Sequence, residues 1–106
     1  MKSSLAKSSD QLILGFRALS DPLRLQIIEQ LCDRELCVCD LCDRLDTPQS
    51  KLSFHLKVLK DAQLVHPRQD GRWIYYRLNL AQIQQLEQFL QSLQTHTANI
   101  SASHCF

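Results

Sequence analysis

The chain has 106 residues, of which 44% are apolar and 22% are charged, and its net charge is +1. This length allows one small domain with a modest core, to which a partner subunit could contribute. Only two glycines and three prolines occur, which favours helices over a many-turned β fold. No apolar segment approaches the roughly 20 residues that span a bilayer, so we expect a cytoplasmic protein without a membrane segment.

The beginning of the chain predicts an arm followed by a helix. Residues 1–8 lack periodicity and are predicted to be a flexible arm. From about Ser9 onward, Leu12, Phe16 and Leu19 recur at helical spacing. A first short helix is therefore expected over roughly residues 9–19. A second helix is expected to begin at Pro22 and to end near Cys32.

The middle of the chain predicts a helix-turn-helix. A third short helix covers roughly Val38 to Leu45, and we expect Thr47 and Pro48 to begin the fourth as its N-cap and first helical residue. Leucines at helical spacing form the buried side of this fourth helix. Its opposite face is polar and basic, which suits a DNA groove. The candidates for DNA contact on that face are Gln49, Ser50, Ser53, Phe54, Lys57 and Lys60.

A β-hairpin is predicted directly after the fourth helix. Two β-prone runs, 64–69 and 72–78, flank Asp70-Gly71, a dipeptide typical of two-residue hairpin turns. The predicted fold is therefore a winged helix-turn-helix, mainly α with a small β-hairpin. Arginines of this wing are candidates for contact with the DNA backbone or minor groove: Arg68, Arg72 and Arg77.

The last predicted helix, Leu80 to Leu93, carries an apolar stripe that nothing else in so small a chain obviously covers. We assign this stripe, with the first helix, to a homodimer interface; packing of the helix on its own domain is the alternative. Residues 95–106 are predicted to be a flexible tail, which leaves 9–94 as one domain. The dimerisation candidates are Leu12, Phe16, Ile83, Leu86, Phe89, Leu90 and Leu93.

Charge is distributed unevenly along the chain. Residues 29–46 hold six acidic and two basic side chains, whereas residues 47–78 hold six basic and two acidic ones. The basic half suits phosphates and the acidic half suits a cation, so the small net charge does not argue against a DNA partner.

Cysteine is the most informative residue type. The chain has five: Cys32, Cys37, Cys39, Cys42 and Cys105. In the cytosol thiols stay reduced, and clustered ones more often bind metal than form disulfides. Cys37, Cys39 and Cys42 open the third helix with no histidine nearby, which favours a soft ion; a structural zinc site would usually need a fourth ligand. We expect Cys32 to be a small buried residue, and the role of Cys105 stays open.

Several motifs occur in the order of a known family. The run ELCVCDLC at 35–42, the run ALSDPLRL at 18–25 and the S-x-H-L pattern at 53–56 resemble the ArsR/SmtB family of metal-responsive repressors, especially its arsenite-responsive branch. The resemblance covers residues 12–93. It implies a homodimeric repressor that binds an inverted-repeat operator of arsenic-resistance genes. It also implies release from DNA when As(III) or Sb(III) binds the three clustered cysteines.

Helix geometry predicts how such an ion would act. Cys39 and Cys42 share a face of a regular helix, but Cys37 lies about 200° round the helix from Cys39. Binding should therefore distort the start of the third helix and misplace the fourth.

Other functions use the same residues. The same fold could sense Cd, Pb or Zn, or a thiol disulfide could act as a redox sensor. A metal-trafficking protein would have no use for the polar helix face and basic wing. An enzyme such as an arsenate reductase would need a reactive thiol in an anion-binding loop, and no such loop is visible, so we predict no enzymatic activity.

Overall fold

Five helices and a small sheet form the molecule. The computed structural model describes residues 2–100, with side chains from Ser9 onward. Within them no helix has the length and apolar character needed to cross a membrane. The elements in chain order are α1 (Lys2–Ala18), α2 (Pro22–Gln30), β1 (Leu36–Cys37), α3 (Val38–Leu45), α4 (Gln49–Asp61), β2 (Val65–Asp70), β3 (Trp73–Leu78) and α5 (Leu80–Ala98). This arrangement confirms the predicted winged helix-turn-helix.

The core lies where α2, α3 and α4 meet the sheet. The helical spacing predicted the buried leucines of α4 correctly, since apolar side chains one turn apart face the same direction. Burying side chains of this size stabilises the fold by about 1.5–3 kcal/mol each. The largest fully buried side chains are Ile27, Leu41, Leu52, Leu56, Leu59, Leu64 and Val65.

The antiparallel sheet has the strand order β1-β3-β2. The predicted hairpin is confirmed, but its turn is shifted by one residue: Asp70 pairs with Trp73, so the two-residue loop is Gly71-Arg72. Gly71 has a φ of 63°, in the left-handed region that glycine enters without steric cost. Strand β1 was not predicted, because two residues carry no periodicity.

Both end helices are longer than predicted. Helix α1 begins at Lys2 and α5 continues to Ala98, so residues 2–8 and 95–98 are helical where an arm and a tail were expected. Once a helix is nucleated, each added residue gains a hydrogen bond, so polar residues can extend it without an apolar stripe. Residues 1 and 101–106, which also belong to those predicted segments, lie outside the described residues.

Helix α4 begins one residue later than predicted. Pro48 is its N-cap, and the Thr47 hydroxyl donates instead to the backbone oxygen of Leu45 at 2.9 Å. Asp46, with a φ of 49°, ends α3 in the left-handed conformation. The predicted turn between two helices is therefore present, but Thr47 belongs to the turn and does not cap α4.

Candidate functional site

The outer face of α4 carries all the residues that were predicted from sequence to contact DNA from this helix. The six candidates Gln49, Ser50, Ser53, Phe54, Lys57 and Lys60 are all exposed. Phe54 is 60% exposed, which is unusual for a phenylalanine and leaves its ring free to contact a partner. Lys57 pairs at 2.9 Å with Asp61 one turn later, so only part of its charge is available to a phosphate.

A polar network fixes α4 against the start of α2. Asp21 caps α2 by accepting from the backbone N–H groups of Leu23 and Arg24 at 2.9 and 3.1 Å. Arg24 in turn donates through Nη1 to Nδ1 of His55 at 3.0 Å. Because arginine only donates, His55 accepts at Nδ1. His55 is 8% exposed, so it faces inward and supports α4.

The three wing arginines occupy different environments, although all are exposed. Arg72 lies in the hairpin turn and Arg77 near the end of β3. Arg68 on β2 already has intramolecular partners: it donates to both carboxylate oxygens of Glu35 at 2.8 to 3.2 Å. This guanidinium lowers the pKa of the Glu35 carboxyl. Arg68 is therefore less available to DNA than the other two arginines.

The three clustered thiols sit in three different environments. Cys37 is the last residue of β1 and the N-cap of α3, with extended backbone at φ −81° and ψ 168°. The prediction that all three cysteines open one helix is therefore wrong for Cys37, which tertiary pairing with β3 holds in a strand. Cys37 is buried, Cys39 is exposed and Cys42 is partly buried. Among the residues that the structure describes, no three His, Cys, Asp or Glu side chains are already gathered to hold an ion.

Two of these thiols are harder to ionise than free cysteine. Burial raises the pKa of Cys37. Burial, followed by the neighbouring Cys39 and Asp43, raises the pKa of Cys42. Both thiols are therefore protonated at neutral pH, so a ligand that binds sulfur must displace their protons.

A cavity lies between two of the thiols, Cys37 and Cys39, and the surfaces predicted to bind DNA. Its volume is about 170 Å³, and its walls come from the β1–α3 junction, the first residue of α4 and the tip of the wing. Trp73, the only tryptophan of the chain, was not predicted as part of this site. Its position after the Asp-Gly turn was the signal that could have placed it at the tip of the wing. The lining residues are Cys37, Val38, Cys39, Gln49, Arg72, Trp73 and Ile74.

The helices α1 and α5 pack on each other and leave an apolar face uncovered. Leu86 of α5 is buried. The two helices approach closely at Gly15 of α1, since a Cβ atom there would lie only 2.9 Å from Leu86 Cδ2. Phe16 contacts Phe89 with ring centroids 5.9 Å apart. Leu12, Phe16 and Ile83 are half-buried against the core. Phe89, Leu90 and Leu93, which were predicted from sequence, are exposed on α5, and Ile13 and Leu14, which were not predicted, are exposed on α1.

The two remaining cysteines lie away from this cavity or cannot be placed. Cys32 is exposed just after α2, so the expectation that it is buried is wrong. The reason is that α2 ends at Gln30, so the buried side of the helix does not extend to Cys32. Cys105 lies outside the described residues.

Comparison with known proteins agrees with the motifs. The family model described as "Bacterial regulatory protein, arsR family" matches residues 21–66. The arsenical resistance operon repressor of Bacillus subtilis (strain 168) is 47% identical over 79 residues, which cover 74% of this chain and 72% of that protein. The chain belongs to the arsR family. It is thus a DNA-binding transcriptional regulator and not an enzyme.

Solved structures show the same fold for this arsR-family chain. An ArsR family transcriptional regulator superposes with a TM-score of 0.80 at 22% identity, covering 88% of this chain and 96% of that one. A winged helix-turn-helix domain from Mycobacterium bovis, described as homodimeric, gives a TM-score of 0.67 at 23% identity, covering 97% of this chain and 94% of that one. At these identities the likeness concerns the fold.

Proposed function

We propose that this arsR-family protein is a cytoplasmic, homodimeric repressor of arsenic-resistance genes. It binds an inverted-repeat operator and leaves it when As(III) or Sb(III) binds Cys37, Cys39 and Cys42. The observation that carries this proposal is the shared cavity, which brings two of those thiols against Gln49 of α4 and Arg72 of the wing. A ligand there acts directly on both surfaces that contact DNA. The name of the Bacillus subtilis relative supports arsenic as the inducing element.

The binding chemistry requires a local rearrangement. Arsenous acid, As(OH)₃, forms three As–S bonds; each thiol proton leaves with one hydroxide as water, and arsenic keeps its oxidation state. Cys39 and Cys42, three residues apart on α3, share a helix face, but Cys37 lies on extended backbone before the helix. The three sulfur atoms therefore converge only if the β1–α3 junction moves. That junction is held by a two-residue strand, and Cys37 makes no side-chain cap hydrogen bond.

The same movement reaches the DNA surface through α3 and the cavity. Helix α3 packs on α4, and a three-residue connection joins them. A distorted α3 start displaces Gln49 and the wing tip relative to the rest of α4. Ligand and operator then oppose each other with a coupling free energy of about 1–3 kcal/mol, which acts equally in both directions.

The dimer is assigned to the α1–α5 face. Exposed apolar side chains lie on both of these adjacent helices, which is typical of an interface between subunits. They are the predicted residues Phe89, Leu90 and Leu93 on α5, and Ile13 and Leu14 on α1. A twofold axis through this face repeats α4 on both subunits, as an inverted-repeat operator requires.

Operator release tests the proposal. With DNA from upstream of the coding sequence, we expect fluorescence anisotropy to show binding by the wild type and release by arsenite under reducing conditions. Replacing Cys37, Cys39 or Cys42 singly by serine should weaken arsenite binding at least about tenfold while DNA is still bound. Cys32→Ser is the matched control, because that thiol is exposed and outside the cavity. Equal release of all four variants would contradict the three-cysteine site.

Trp73 provides a direct reading of the cavity. It is the only tryptophan and lies beside Cys37 and Cys39, so we expect its fluorescence to change as arsenite binds and to saturate at one ion per chain. Cys39→Ser should abolish the change at the same arsenite concentration. An unchanged emission while arsenite binds would place the ion elsewhere.

The pH dependence of binding separates arsenite from divalent ions. Arsenous acid releases water and no net protons, so its affinity should stay nearly constant from about pH 6 to 8. The raised pKa values keep the Cys37 and Cys42 thiols protonated over that range. Cd²⁺ or Pb²⁺ must displace those protons, so its affinity should rise about tenfold per pH unit for each proton released. Release by peroxide, but not by arsenite under reducing conditions, would favour a redox sensor.

A further inference from the structure

One row of the sheet links the thiol strand to the wing. Cys37 of β1 is the pairing partner of Tyr75 in β3, and Tyr75 is in turn the partner of Arg68 in β2. Directly paired residues of neighbouring strands project from the same sheet face. The thiol, the tyrosine ring and the guanidinium therefore lie side by side across the three strands.

Glu35, on the β1 side of this row, binds directly to Arg68 of β2. It immediately precedes β1, and its carboxylate accepts from Arg68 Nη2 at 2.8 Å and from Nε at 3.1 Å. The guanidinium carbon of Arg68 lies 5.0 Å from the centre of the Tyr75 ring, and its Nη1 is 3.6 Å from Asp70. A bidentate pair fixed by a ring and a second carboxylate has a defined geometry, unlike most ion pairs at a surface.

The position of this pair indicates a role other than stabilising the fold. The side chains of Glu35 and Arg68 are 31% and 46% exposed, so the pair itself adds little to folding free energy. It spans 33 residues of sequence and connects two segments that share no other described side-chain hydrogen bond. One segment contains a proposed ion ligand two residues away, and the other is the first strand of the wing.

We propose that Glu35 is a positioning residue that couples the thiol site to the wing through Arg68. When ion binding draws Cys37 toward Cys39 and Cys42, β1 and Glu35 move with it. The bidentate pair carries Arg68 and β2 along, so the wing shifts relative to α4 and loses its fit to DNA. This role rests on the function proposed above, and it makes Arg68 a coupling residue in addition to a candidate DNA contact.

The test compares two carboxylates of the same segment. Glu35→Gln removes the pair but keeps the shape of the side chain. Asp33→Asn removes the same charge two residues earlier, where the partner is the adjacent Arg34 and not the wing. Both changes alter the long-range attraction to DNA equally, so a difference between them reports the link to the wing.

With the full chain, the experiment measures the factor by which saturating arsenite weakens operator binding. Trp73 fluorescence reports how much of the protein has bound arsenite. We expect this factor to fall at least about threefold in Glu35→Gln and to stay within about twofold of the wild type in Asp33→Asn. Arg68→Gln should reduce the factor as Glu35→Gln does, and the double variant should reduce it no further, because one interaction is lost in all three. Thermal unfolding of each variant checks that it is folded.

Equal factors for Glu35→Gln and Asp33→Asn would overturn the proposal. So would a further loss in the double variant, since Glu35 and Arg68 would then act separately. If arsenite leaves the wild type on its operator, the proposed function itself fails. The two failures are therefore distinguishable within one experiment.

Discussion

Helix α4 and the β1–α3 junction are neighbours that are held in place very differently. Helix α4 buries Leu52, Leu56 and Leu59 to 0 or 1% exposure and hydrogen-bonds to α2 through His55. The junction consists of a buried strand of only two residues followed by a helix of eight in which Leu41 is the one buried residue. Short segments held by few residues open at a lower free energy than longer core helices.

This difference in packing corresponds to the two proposed functions, DNA reading by α4 and ion binding at the junction. The surface proposed to read DNA sits on the most firmly packed helix, where its geometry is reproducible. The proposed ion ligands sit on shorter segments, where fewer buried side chains oppose a change of backbone shape than in α4, so more of the ion's binding free energy remains for moving the wing and the start of α4. The two regions touch at Gln49 and around the cavity, which is where a change in one reaches the other.

The largest effect should come from a truncation inside α4. Leu56→Ala removes a side chain that is 1% exposed and should lower the free energy of unfolding by about 2–5 kcal/mol, because it leaves a cavity in the core. Val38→Ala at the junction removes two methyl groups from a half-buried site and should cost less than about 1.5 kcal/mol. Urea unfolding at one protein concentration measures both. Equal losses would mean that the junction is packed as firmly as α4.

A smaller effect is expected for the polar support of α4. His55→Ala removes the acceptor of Arg24 Nη1 and should cost about 1–3 kcal/mol, since a partly buried donor loses its partner. Operator affinity should fall as well, because α4 loses its fixed position against α2. His96→Ala, on the exposed end of α5, is the control and should change stability by less than about 0.5 kcal/mol. An unchanged operator affinity for His55→Ala would show that leucine packing alone positions α4.

The smallest effect concerns the end of α4. Gln63 has a φ of 63°, and the amide of Leu64 donates back to Leu59 at 2.9 Å across this turn. Gln63→Gly keeps these backbone bonds and relieves the left-handed strain, so unfolding free energy should rise by about 0.5–1 kcal/mol. Asp46→Gly, at the corresponding end of α3, should gain less, because aspartate tolerates this conformation better. A loss of stability in Gln63→Gly would show that its side chain contributes more than its backbone strain costs.

Sequence reasoning succeeded where the signal is local and repeated. The buried leucines of α4, its exposed face and the hairpin are all read from spacing and turn chemistry within about ten residues. It failed where the conformation of one or two residues depends on a partner that is distant in sequence. The strand containing Cys37 exists because β3, almost forty residues later, pairs with it, and the loop Gly71-Arg72 was displaced by one residue by the same sheet's register.

The site shows the same division. The three cysteines, the basic wing and the resemblance to the family are properties of the sequence, and they are sufficient to suggest arsenite as the inducer. The environments of the thiols, the cavity that Cys37 and Cys39 share with Gln49 and Trp73, and the Glu35–Arg68 pair are not visible in the sequence. They depend on which side chains from separate segments meet.

The sequence by itself determined the order of the main elements, the inward and outward faces of α4 and the family, because periodicity and motifs are properties of neighbouring residues. Only the tertiary structure decided that one cysteine is held in a strand and the other two on a helix, and that a carboxylate beside that strand holds the wing. Strand pairing and ion pairs across tens of residues depend on how the packed core orients its segments, and no local pattern records that orientation.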